Sequence, residues 1–194
     1  LINAPRIENH EVDKKEFLYD IKCSKTVEDY TKALGGNPIC YRTGASYTQF
    51  KVHEDSIPFG CEYSGHAYFN DRDIDCCSAL YASLRFIEIM SQTDFKLSEM
   101  IKEFTHYFAT DEIKIKTKDE TKFDIIESIK KEIEPQGLRI NDIDGIRMTF
   151  EDGWVLIRAS NTGPNITFRV EATSEEKLKE YQEKYLELIN KYNN

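Results

Sequence analysis

The apolar residues of this chain change their period once, and that change limits the fold more than any other feature. Up to about residue 105, short apolar runs alternate with helical repeats. Phe17–Ile21 reads as a strand, and Ser24 can cap a helix carrying Val27, Tyr30 and Leu34 that Gly35-Gly36 stops. Pro38–Tyr41, Pro58–Glu62 and His66–Phe69 read as further strands, with a helix from Ser46 after the first and a Ser-Gly turn between the last two. Leu80, Leu84, Ile87 and Ile89-Met90 are expected on one side of a strong helix, and Leu97, Ile101 and Phe104 on a shorter amphipathic one. Strands alternating with helices make an α/β unit.

The rest of the chain reads differently. Glu112–Lys116 alternates as a strand, and Phe123, Ile126, Ile129 and Ile133 mark a helix closed by Pro135 and Gly137. Ile146–Phe150 and Trp154–Ile157 flank Asp152-Gly153, a hairpin signal, and Ile166–Val170 adds another strand. A capping box from Thr173 to Glu176 opens a last helix with Leu178, Tyr181, Tyr185, Leu188 and Tyr192 at helical spacing. A mostly antiparallel sheet backed by two helices fits this α+β half. The predicted organisation is therefore an α/β domain over 1–107 and an α+β domain over 108–194.

Composition narrows the function classes. With 26 Lys+Arg against 35 Asp+Glu the net charge is −9, which argues against nucleic acid as a partner, because phosphate neutralisation needs clustered positive charge. No apolar run approaches the roughly 20 residues of a membrane helix, and Leu1–Asp13 is too polar for a signal peptide. A first residue that is Leu suggests a piece of a longer chain. Five cysteines, two of them adjacent and none in a C-x-x-C pair, point to reduced thiols in a cytoplasmic protein and away from zinc or a disulfide framework. Asp71, Asp73 and Asp75 alternate like a calcium loop, but Cys76 stands where that loop needs Gly and Ala82 where it needs Glu.

Two segments carry candidate chemistry. In Arg158-Ala159-Ser160-Asn161-Thr162-Gly163-Pro164, a guanidinium, two hydroxyls, an amide and a tight turn could cradle a phosphate, since the planar fork of Arg matches phosphate oxygens and turn amides bind anions. An ordinary polar turn would use the same residues. In Gly60–His66, the residues Glu62, Ser64 and His66 alternate, so an extended backbone points all three one way and suits hydrogen bonding to a polyol such as a sugar. A polar strand edge reads equally from the letters, and a Ser-His nucleophile pair is the weaker reading, because no G-x-S-x-G elbow is present and no orienting acid is evident.

Taken together these segments resemble the α-D-phosphohexomutases, the phosphomannomutase/phosphoglucomutase family, in their C-terminal half. YDIKCS at 19–24 is similar to that family's strand-end lysine motif, RTGAS at 42–46 to its K/R-T-G-H-S loop, and GCEYSGH at 60–66 to its G-E-x-S-G-H sugar-binding loop. YFNDR at 68–72 and ALYASLRFIEI at 79–89 follow in family order, and DGWVLIRASNTGP at 152–164 resembles the phosphate-binding loop. The Asn after Ser160 is closer to the phosphomannomutase/phosphoglucomutase branch than to phosphoglucosamine mutases.

The resemblance implies the third and fourth of four domains around a cleft: an α/β sugar-binding domain and a phosphate-binding domain of TATA-box-binding-protein-like fold. It implies that Lys22, Glu62, Ser64 and His66 contact the sugar and that Arg158, Ser160, Asn161 and Thr162 hold the phosphate. It implies a reaction interconverting hexose 1-phosphate and 6-phosphate, with Mg²⁺ and a bisphosphorylated sugar activator serving the full-length enzyme. The phosphoserine and metal loops belong to N-terminal domains that this chain lacks, so no catalytic or metal-binding residue is expected within it, and the chain by itself is expected to be inactive. Two departures stand out: Ala45 replaces the loop histidine, and Cys76-Cys77-Ser78-Ala79 replaces F-D-D-G. The alternative is a non-catalytic phosphosugar-binding module or a degenerate mutase. Replacing Arg158 is expected to weaken phosphate binding with little loss of fold stability.

Overall fold

The computed structural model describes residues 15–70, 76–104 and 106–193, without the side chains of Cys76 and Glu103. The calcium-like Asp71, Asp73 and Asp75, the polar start and Arg72 lie outside the described residues. The chain divides into two compact units, Leu1–Thr105 and His106–Asn194. Among the described residues no helix is long and apolar enough to cross a membrane.

The first unit runs β1 (Glu16–Asp20), α1 (Lys25–Ala33), β2 (Asn37–Tyr41), α2 (Ala45–Glu54), β3 (Phe59–Cys61), β4 (Ala67–Phe69), β5 (Cys76–Cys77), α3 (Ala79–Ser91) and α4 (Leu97–Met100). The sheet order is β2-β1-β3-β4-β5. β1 is parallel to both β2 and β3, and β3, β4 and β5 follow as antiparallel neighbours. Ser24 caps α1 by accepting the Thr26 N–H at 3.1 Å, and Gly35 beyond the helix end takes φ 73°. Leu18, Val52, Ile57 and Tyr68 form the core, into which Gly60 fits because a Cβ there would lie 2.8 Å from Val52 Cγ2.

Helix α3 corrects the sequence expectation. Leu80, Leu84 and Ile87 are 73%, 56% and 60% exposed, while Arg85 and Ile89 are buried. The sheet side of α3 is set by aromatic stacking: Tyr81 meets Phe69 edge-on at 4.8 Å, and the Arg85 guanidinium lies 5.6 Å from the Phe69 ring. A cation lying over rings does the work that the letters assigned to leucines. The Leu97 stretch is also shorter than expected, ending as α4 and a 3₁₀ turn at Ile101–Glu103 with Leu97 and Ile101 exposed.

The second unit runs β6 (Phe108–Ala109), β7 (Ile113–Lys116), α5 (Lys122–Ile133), β8 (Arg139–Asn141), β9 (Ile146–Thr149), β10 (Gly153–Ala159), β11 (Asn165–Ala172) and α6 (Glu175–Tyr192). All its strand pairs are antiparallel, in the order β6-β11-β10-β9-β8, with β7 also along β11. Strand alternation sends Val155, Ile157, Phe168 and Val170 toward Ile126 and Ile129 of α5 and Tyr185 and Ile189 of α6. The opposite face is buried too and is polar: Trp154 Nε1 donates to Glu171 Oε2 at 2.6 Å, under the Arg147 guanidinium 4.1 Å from its ring.

Three local expectations change. Phe123 is 56% exposed, and Ile125 takes its place in the core. Ser174, not Thr173, caps α6 by accepting the Lys177 N–H at 3.2 Å, and the Thr173 N–H donates to the Asp152 carbonyl at 2.8 Å. Gly153 follows the β9–β10 turn as expected but serves close approach, since a Cβ there would fall 2.3 Å from the Glu171 carbonyl oxygen.

Candidate functional site

The first unit places its polar cluster where the strand connections diverge. From the carboxyl end of β1 the chain leaves toward β2, and from that of β3 it leaves toward β4, on the other side. Crevices at such points are where open α/β sheets bind ligands. Asp20, Lys22, Cys23, Glu62 and Ser64 all lie on these two strand ends or the turns that follow them.

Asp20 joins three loops there. Its carboxylate is fully buried; Oδ1 accepts from Cys23 Sγ and from the Tyr63 N–H, each at 3.1 Å, and Oδ2 accepts from Thr43 Oγ1 at 3.0 Å. The loops resembling the lysine, K/R-T-G-H-S and sugar motifs are thus tied to one side chain. Sequence reading passed over Asp20; the available signal was an acid closing an apolar strand.

Glu62 is 7% exposed and surrounded by hydroxyls. Oε1 accepts from Thr48 and Tyr68, both at 3.0 Å, and Oε2 accepts from Ser64 at 3.1 Å. Burial, then the Glu62 charge and hydrogen bond, push the Tyr68 phenol well above its ordinary value. The carboxylate is held still by α2 and β4, and Ser64, which is exposed, is the partner able to turn away toward a ligand.

The other predicted residues of this unit are arranged less tightly. Lys22 is buried, with its ammonium 5.8 Å from the Tyr63 ring. His66 is exposed and its Nδ1 lies 3.3 Å from the Cys77 thiol, in a cavity of about 300 Å³ also lined by Ser64 and Ser78. His66 therefore does not join Glu62, although it shares this cavity with Ser64. Ala45 opens α2 behind Gly44, whose φ of 137° suits glycine, so no imidazole stands at that helix start.

In the second unit Arg158 is the next-to-last residue of β10, and the Ser160–Pro164 loop follows the strand. The Arg158 Nη2 donates to Asp144 Oδ1 at 3.2 Å and lies 3.1 Å from Oδ2, with both side chains buried. Gly145 allows this: with φ 87°, a Cβ there would sit 2.5 Å from Arg158 Cβ. The loop is held from behind by Lys122, the first residue of α5, which donates to the Ser160 carbonyl at 2.7 Å, the Gly163 carbonyl at 3.3 Å and Asp119 at 2.6 Å. Ser160 Oγ accepts the Thr162 N–H at 3.3 Å, while Asn161 and Thr162 are exposed at the tip. Asp144 and Lys122 are the partners sequence reading missed, since each is remote in the chain from the loop it supports. Among the described residues no group of three or more His, Cys, Asp or Glu side chains is placed to hold a metal ion.

These loops sit in a chain whose matches are consistent along its length. The model of the phosphoglucomutase/phosphomannomutase α/β/α domain III matches residues 2–108, and that of the C-terminal domain matches residues 112–188. The chain belongs to this family. It is 32% identical over 167 residues to a phosphomannomutase/phosphoglucomutase of Pseudomonas syringae, covering 86% of this chain and 36% of that protein. A phosphomannomutase of Methanocaldococcus jannaschii is 32% identical over 182 residues, 93% of this chain and 39% of that protein. The phosphoglucomutase/phosphomannomutase family protein of Burkholderia thailandensis superposes with TM-score 0.85 at 26% identity, over 98% of this chain and 41% of that one. The N-acetylphosphoglucosamine mutase of Aspergillus fumigatus, solved with GlcNAc-6P and magnesium, shares the fold with TM-score 0.64 at 12% identity, over 100% of this chain and 42% of that one. The chain thus spans little more than a third of the length of the phosphohexomutases it matches.

Proposed function

We propose that the chain is the substrate-recognition part of a phosphomannomutase/phosphoglucomutase that interconverts hexose 1-phosphate and 6-phosphate. Residues 1–107 would bind sugar hydroxyls through Glu62 and Ser64 with Lys22 and His66 nearby, and residues 108–194 the phosphate that is not transferred, through Arg158, Ser160, Asn161 and Thr162. The observation that carries this reading is the Glu62 carboxylate, fixed by Thr48 and Tyr68 at the diverging strand ends beside a hydroxyl free to turn. A carboxylate acceptor paired with a hydroxyl suits two neighbouring sugar hydroxyls. The sheet backed by two helices on one face in the second unit supports the TATA-box-binding-protein-like assignment.

Phosphoryl transfer rests on positioning and on neutralising the moving group. The Mg²⁺, the bisphosphorylated activator and the phosphoserine of the relatives would be served by the N-terminal part of a longer polypeptide in the cytoplasm. The purified chain is therefore expected to bind hexose 6-phosphate without interconverting it, even with Mg²⁺ and activator added. Turnover above a heat-treated control, or no saturable binding, would count against this assignment. A second reading, a non-catalytic phosphosugar-binding module or degenerate mutase, is favoured by Ala45 and by the Cys77 thiol against His66. A coding sequence upstream of Leu1 that lacks serine and aspartate loops would select it.

A further inference from the structure

We propose that Cys77 and His66 form a thiol-modification site, at which low-molecular-weight disulfides are captured as a reversible mixed disulfide on Cys77. β4 and β5 pair antiparallel with Tyr68 opposite Cys77, and residues two apart on a strand share a face. His66, two residues before Tyr68, is therefore the diagonal neighbour of Cys77, and its Nδ1 lies 3.3 Å from the Cys77 sulfur. The imidazole stacks on the Tyr68 ring with centroids 6.1 Å apart, and the Tyr68 hydroxyl is fixed by Glu62 at 3.0 Å. A nucleophile, a base within hydrogen-bond reach and a group that orients the base are the parts an activated thiol needs.

Access and space complete the site. Of the described cysteine side chains, Cys77 is exposed, Cys40 and Cys61 are half-buried and Cys23 is buried. Cys77 and His66 both line the cavity of about 300 Å³, with Ser64, Ser78, Ala79 and Ala82 among its other walls. Ser78 caps α3 by accepting the Tyr81 N–H at 3.3 Å, so Cys77 stands beside a helix N-terminus, whose positive end favours charge developing on sulfur. In the tautomer protonated at Nε2, His66 Nδ1 takes the thiol proton as the Cys77 sulfur attacks one sulfur of the small disulfide. The old S–S bond breaks, and the departing thiolate takes the proton from His66. One cysteine thiol and one small disulfide become one mixed disulfide and one small thiol. The captured group lies in the cavity that Ser64 also lines, so it obstructs a ligand held there. The modification does not depend on the proposed function; its effect on sugar binding does.

Brief exposure of the chain to glutathione disulfide at neutral pH, then alkylation, unfolding and tryptic cleavage without reduction, maps the reaction. Cys76 and Cys77 share the peptide 73–85, and fragmentation between them tells the two apart. The expected first product carries one glutathione on Cys77, is released by dithiothreitol and is missing in Cys77→Ser. First reaction at another cysteine, or a bond between Cys76 and Cys77 in place of the mixed disulfide, would overturn the site. His66→Gln should react about tenfold more slowly at neutral pH, where an unassisted thiol is only a few per cent thiolate. The two rates should converge near about pH 10, where a thiol ionises unaided. No difference at neutral pH, or a difference that persists unchanged into the alkaline range, would remove His66 as the base. Chain carrying the mixed disulfide should bind hexose 6-phosphate about tenfold more weakly than reduced chain; equal affinities would overturn the obstruction. Absence of binding by the reduced chain would instead count against the functional reading and leave the peptide result standing.

Discussion

Arg158 and Asp144 form a buried ion pair, Nη2 lying 3.2 Å from Oδ1 and 3.1 Å from Oδ2, at the base of the candidate phosphate loop. The pair ties β10 to the turn before β9, so the guanidinium has a structural role. Arg158→Ala leaves a buried carboxylate without its cation, and breaking such a pair costs about 3 kcal/mol. Urea unfolding should show that loss, which corrects the expectation of a stability-neutral change. Arg158→Lys keeps the charge without the fork. It should lose less stability than Arg158→Ala while still weakening phosphate binding.

Lys122 anchors the same loop through the Ser160 and Gly163 carbonyls. Lys122→Met keeps the stem and removes the donors. It should destabilise the protein by about 2 kcal/mol, the scale of a hydrogen bond to a charged group, and weaken phosphate binding. An unchanged phosphate affinity in a folded variant would free the loop from this support.

Asp20 fixes three loops, with acceptors for Cys23, Tyr63 and Thr43. Asp20→Ala strands those donors and should lower stability by about 3 kcal/mol. Thr43→Val removes one of them alone and should cost about 1 kcal/mol, read by thermal unfolding.

The Tyr68 phenol is pushed above its ordinary value by burial, then by the charge and hydrogen bond of Glu62. Its folded value lies above its unfolded value. Its contribution to stability is therefore full below the ordinary phenol value of about 10 and is lost progressively as pH rises beyond it. Unfolding free energy measured on the alkaline side should fall less steeply in Tyr68→Phe than in wild type. Parallel slopes would mean that Tyr68 does not govern alkaline stability.

The sequence disclosed the elements and the loops more readily than their support. Helical spacing located α5 and α6, whose apolar faces meet one core, and short apolar runs located β1, β2 and β10. It misassigned α3, where Arg85 and Tyr81 face the sheet and the leucines do not, because cation–aromatic packing leaves no hydrophobic signature. Motif letters brought Glu62 and Ser64 together but were silent on Thr48 and Tyr68, which meet Glu62 only once α2 and β4 pack. Asp144 and Lys122 were equally invisible, because the distance along the chain from Arg158 and Ser160 is closed by the sheet and by α5.

The measurement that tests the account most directly is a calorimetric titration of wild type, Glu62→Gln and Arg158→Lys with a hexose 6-phosphate and with inorganic phosphate. Wild type should bind the sugar phosphate about tenfold more tightly than phosphate. Glu62→Gln should lose that preference while keeping its phosphate affinity, and Arg158→Lys should weaken both ligands. Equal wild-type affinities for the two ligands, or a preference that survives Glu62→Gln in folded protein, would contradict it.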